Sequence, residues 1–147
     1  LLREEMQEFI LDKLQLLIER KLIKGIGENG TEYTVIAQIL DLPKEILRLI
    51  QKFDFTKKNP KLIYINTGET MISLQDSILV TFLNLAGFDI LFFVPTGYQS
   101  VENYFAEKLM EEHQIGEYKY DMQVPDLNNI STNSTRPSWR RKLFRRG

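Results

Sequence analysis

The sequence predicts an α/β fold, with N-terminal helices followed by a small three-stranded parallel sheet with flanking helices, a Rossmann-like half. Three observations predict it. Apolar residues recur at helical spacing through the first fifty positions. From Lys61 the rhythm changes to short apolar runs alternating with a helical pattern, and short β-α-β connections imply parallel strands joined by right-handed crossovers. Third, the apolar run Phe88–Val94, broken by Asp89, leads through Pro95-Thr96-Gly97-Tyr98 to Ser100, placed as a helix N-cap. That order puts ligand groups at the carboxyl edge of an open sheet.

In chain order, residues 2–23 carry Leu2, Met6, Phe9, Ile10, Leu14, Leu17, Ile18 and Leu22 on one helical face, a core or inter-domain stripe. The segment Gly25–Gly30 is a turn; no strand precedes it, so its glycines are not a dinucleotide fingerprint. Two short helices follow, Thr34–Leu40 and Pro43–Phe53. No basic recognition helix is among them, which argues against specific nucleic-acid binding. Lys52, Lys57, Lys58 and Lys61 read as a solvated rim. The first strand is Leu62–Ile65, with Asn66–Thr70 (NTGET) at its carboxyl end, and Ser73–Leu85 is the crossover helix. Phe88–Val94 reads as a strand buried on both faces. A helix over Ser100–Glu112 and an edge strand over Tyr118–Val124 complete the sheet.

The chain of 147 residues is read as two regions: a helical lead-in plus α/β lobe over residues 1–126, then a flexible tether and basic tail over 127–147. It starts inside a helical pattern at Leu1, so it is expected to be the C-terminal fragment of a longer protein. Charge is divided unevenly. The first region carries 13 basic and 20 acidic side chains, and the second 6 basic ones and no acid. There is no cysteine, which excludes thiolate catalysis and zinc-thiolate sites, and the single histidine excludes an imidazole cluster. No apolar run has the ~18 residues of a membrane-spanning helix.

The ligand-binding candidates are Thr67, beside Asn66 and Glu69 in the first loop, and Thr96, Gly97, Tyr98, Ser100 and Glu102 in the second. Thr67, Thr96 and Ser100 offer hydroxyls. Gly97 permits close backbone approach, and the first-turn N–H groups after Ser100 would attract an anion. Tyr98 either stacks on a ring or plugs the strand–helix turn. Glu102 opposes a bare phosphate unless it holds a ribose hydroxyl or a bridging metal. Asp76 suits a helix cap as well as chemistry. Asp89, at the amino end of its strand, is assigned to structure, and His113 to a helix end. These residues select no catalytic group, no cofactor and no metal site.

Asp76-Ser77, Phe82-Leu83, Gly87-Phe88-Asp89, Pro95-Thr96-Gly97-Tyr98 and Glu102, with Ser138-Trp139 and Leu143-Phe144 near the end, resemble the bacterial YceG-like family. Members of that family are described as components of a biosynthetic module linked to tellurite and toxic-anion resistance, and they are longer than this chain. The resemblance therefore implies a bacterial stress-response protein working beside other resistance proteins, with no reaction or catalytic residue to carry over.

Two functions are expected from these readings. One is a cytoplasmic lobe that binds a nucleotide or anionic metabolite for group transfer. The other is a non-catalytic module that assembles a stress-resistance complex. In it the first helix is the docking face, and the basic tail, with Trp139, Leu143 and Phe144, rests on the anionic inner face of the membrane.

Overall fold

The computed structural model describes residues 3–52 and 58–126. Three helices open the chain: α1 (Glu4–Glu19), α2 (Thr31–Leu40) and α3 (Lys44–Lys52). On α1, Ile10, Leu14 and Leu17 fall on one face at i, i+4 and i+7 and are buried, so this stripe packs into the chain's own core. Gly25 is required in the following turn. Its φ is +91°, and a Cβ there would overlap the side chains of Thr31 and Asn29.

Strand β1 (Lys61–Ile65), helix α4 (Leu74–Leu85) and strand β2 (Asp89–Phe93) then form one parallel β-α-β unit. Helix α4 is the hub of the core and touches α1, α2 and β2. Its Ser77, Ile78, Thr81, Phe82 and Leu83 are buried; the two hydroxyls are satisfied by carbonyls one turn back, at 2.8 Å each. The helix starts at Ser73, whose Oγ accepts from the Asp76 N–H (3.0 Å) and donates to the Asp76 carboxylate (2.7 Å). Asp76 therefore serves as part of the cap.

Several expectations are corrected here. The sheet has two strands among the described residues, not three. Tyr118–Val124 forms no strand: Asp121 adopts φ +55° in its middle, which breaks the alternation an extended strand needs. Ser100–Glu112 is not a flanking helix either. Backbone groups at Tyr104 and Ala106 bond the linker after α1, and the segment's one internal backbone bond among the described residues is the turn from Phe105 N–H to the Glu102 carbonyl at 3.2 Å. Ile23 and Phe105 form an antiparallel bridge, Lys24 N–H donates to the Tyr104 carbonyl and Ala106 N–H to that of Leu22, each at 2.9 Å. His113 accordingly caps no helix; it lies exposed, 3.6 Å from the Glu111 carboxylate. The Rossmann-like half reduces to a single β-α-β unit beside a helical lead-in.

The strands are also not buried on both faces. Leu62, Ile90 and Phe92 pack against the core, whereas the alternate residues are exposed, because α4 covers one face only. Asp89 is structural: at the amino end it meets Lys61 Nζ at 2.6 Å, with Asn59 at 3.5 Å. Hydrogen bonds from Lys61 first, then Asn59, hold its carboxyl below the usual range. Lys57, the tether and the basic tail lie outside the described residues.

Candidate functional site at the carboxyl edge

The register runs Lys61↔Asp89 to Ile65↔Phe93, so the two strands end level. The loops that leave them therefore start side by side. Asn66 continues the pairing, its N–H donating to the Phe93 carbonyl at 2.9 Å. Its side chain then joins the two loops: Nδ2 donates to the Thr70 carbonyl and to Ser100 Oγ, both at 2.9 Å, while Oδ1 accepts from Gly68 N–H at 3.3 Å. Ile72 N–H donates to the Ser100 carbonyl at 2.9 Å. Ser100 is wholly buried.

Thr96 is buried as well, and its Oγ1 accepts from the Tyr98 N–H at 3.3 Å. Gly97 sits at φ +68°, where it closes a turn by donating its N–H to Val94. What approaches Gly97 closely is the chain itself: a Cβ there would run into the Tyr118 ring. Lys119 N–H, bonded to the Pro95 carbonyl at 2.8 Å, holds that segment across the loop. Thr67 is half-buried; Glu69, Tyr98 and Glu102 are exposed around the rim.

Ser100 is thus tied to Asn66, whose loop also carries Thr67, while Thr96 bonds within its own turn. Glu102 follows Ser100 with no helix dipole to meet. Within the described residues no buried side-chain polar atom lacks a partner, so the buried groups here fix loop geometry. The helix N-terminus at this edge belongs to α4, and Asp76 occupies it, which opposes a second anion there. Tyr64 points its hydroxyl at the same carboxylate (3.4 Å). Burial first, then the Asp76 charge and this hydrogen bond, raise the Tyr64 pKa above the ordinary phenol value.

Two participants were not legible. Tyr64 sits in an apolar run that signals only a strand, and Tyr118 reaches Gly97 across twenty residues of irregular chain. An open depression at Lys108–His113 is lined by consecutive residues of one exposed segment and shares none of these groups. No group of three or more metal-ligating side chains occurs among the described residues. No helix among them is long and apolar enough to cross a membrane.

The YceG domain model matches residues 2–135, nearly the whole sequence. This chain belongs to the YceG domain family. It is similar to the uncharacterized protein YceG of Bacillus subtilis strain 168, with 31% identity over 93 residues, which are 61% of this chain and 17% of that relative. The chain therefore spans under a fifth of the length of the YceG relative it matches. No solved structure matches it.

Proposed function

We propose that the β1–α4–β2 unit forms one wall of a binding site for a nucleotide or other phosphorylated metabolite in a longer YceG-type protein. The observation that carries this is the Asn66–Ser100 hydrogen bond across level, parallel strand ends, which fixes two hydroxyl-bearing loops as one edge. Thr67 at the rim would meet phosphate oxygens; the N–H groups of Gly97 and Tyr98 are taken by Val94 and Thr96, so the second loop would contribute by shaping the edge. Glu69 and Glu102, poor neighbours for phosphate, suit ribose or sugar hydroxyls. Group transfer, including a glycosyltransferase-like reaction, follows by fold analogy alone. The setting would be a bacterial toxic-anion or tellurite stress response, with other resistance proteins as neighbours; no residue on this edge selects tellurite.

A thermal-shift panel of nucleotides, nucleotide sugars and oxyanions on the full-length gene product tests this. Stabilisation by a nucleotide class, reduced in Thr96→Ala, is expected. No shift with any of them overturns the proposal.

The acidic body and basic tail favour a second reading, a non-catalytic assembly module held peripherally on an anionic membrane. Each basic residue near such a surface contributes about 1 kcal/mol. The apolar stripe of α1 is already spent in the core, so a partner would dock elsewhere. Co-sedimentation with acidic vesicles checks the tail: pelleting of the intact chain should fall on truncation after Thr135. Equal pelleting of the two contradicts it.

A further inference from the structure

The face of the sheet opposite α4 carries three cross-strand pairs in register: Lys61 with Asp89, Ile63 with Leu91, and Ile65 with Phe93. The four apolar side chains are 56%, 49%, 42% and 48% exposed for Ile63, Leu91, Ile65 and Phe93, a contiguous patch and not scattered surface residues. The Lys61–Asp89 ion pair closes the patch at its amino end, so its apolar character stops at a defined boundary.

We propose that this face seats an amphipathic α-helix supplied by the part of the YceG-type protein that lies beyond this chain. The inference is independent of the ligand proposed for the carboxyl edge. Three arguments choose that occupant. Parallel strands joined by helical crossovers occur almost only with both faces covered, and helices are what cover them. Here one face has α4 and the other has no described element. Second, the matched YceG relative has most of its length outside the region this chain matches, which supplies sequence for such a helix. Third, a second copy fits poorly. Four apolar side chains are far fewer than the roughly 20–30 residues a side of a stable interface between folded partners. One helix laid across two strands, by contrast, needs an apolar stripe of this width, with polar residues to meet Lys61 and Asp89.

Cysteine accessibility reads this directly, since the chain has no native thiol. Ile63→Cys and Leu91→Cys are made singly in the full-length gene product, with Tyr33→Cys on α2 as the exposed reference (74% exposed). Their rates with a water-soluble maleimide are then compared. At least ten-fold slower labelling at 63 and 91 than at 33, unchanged on dilution, is expected. A benzophenone attached at Leu91→Cys should capture residues of the same chain at three- to four-residue spacing. Equal labelling rates overturn the proposal. Protection that disappears on dilution assigns the face to a second copy, and capture at two-residue spacing assigns it to another strand; either outcome overturns it. Far-ultraviolet circular dichroism of each variant confirms the fold before the rates are read.

Discussion

Gly97 is held at φ +68° beneath the Tyr118 ring, so two separate penalties attend a side chain there. The left-handed backbone costs a β-branched residue roughly 1–3 kcal/mol, and the ring must also move. Gly97→Val should therefore lower the thermal midpoint, and Tyr118→Ala in the same chain should relieve the overlap but not the strain. A double-mutant cycle measures this: the pair should cost less than the sum of the singles, and strict additivity would mean that Tyr118 does not cover the turn. Tyr64 offers a test of electrostatics. Its neutral form is favoured in the folded chain, so the unfolded chain loses the phenolic proton first, near pH 10. Stability is thus retained below that pH and falls as pH rises toward the higher folded pKa. Following the Tyr64 ring carbon by NMR, Asp76→Asn should lower the midpoint, while burial keeps it above the ordinary value.

At the scale of the element, α4 unites the core and the edge. Ser73 caps it beside the first loop, and Phe82, fully buried, anchors it among the other helices. Ser73→Ala should cost about 1 kcal/mol and Phe82→Ala about 3–5 kcal/mol in denaturant unfolding. An effect of Phe82→Ala as small as that of the cap would contradict the central position of α4. This helix and both strands were legible because each satisfies its own pattern locally: Ser73 caps, Gly87 follows the end, and apolar runs flank both. Ser100–Glu112 was not, although Ser100 and Glu102 look like a helix start. Its backbone finds partners in Leu22–Lys24, some eighty residues away, and local spacing carries no trace of that choice. Tyr118–Val124 failed for a different reason: Tyr118, Tyr120, Met122 and Val124 alternate as a strand would, but Asp121 turns the backbone at φ +55° between them.

At the scale of the molecule, a helical lead-in and one β-α-β unit bring the NTGET and PTGYQ loops to a single edge, and no described element covers the sheet face opposite α4. The shared edge was foreseeable once the strands were read as parallel. The bond that makes it one structure, Asn66 to Ser100, depends on register, which the sequence does not reveal. Hydrogen–deuterium exchange of the full-length gene product with and without ATP or UDP-glucose tests the edge most directly. Ligand should slow exchange in Asn66–Ser73 and in Val94–Glu102 together, and leave Lys108–His113 unchanged. Protection of one loop without the other, or of neither, would contradict the claim that they form one binding edge.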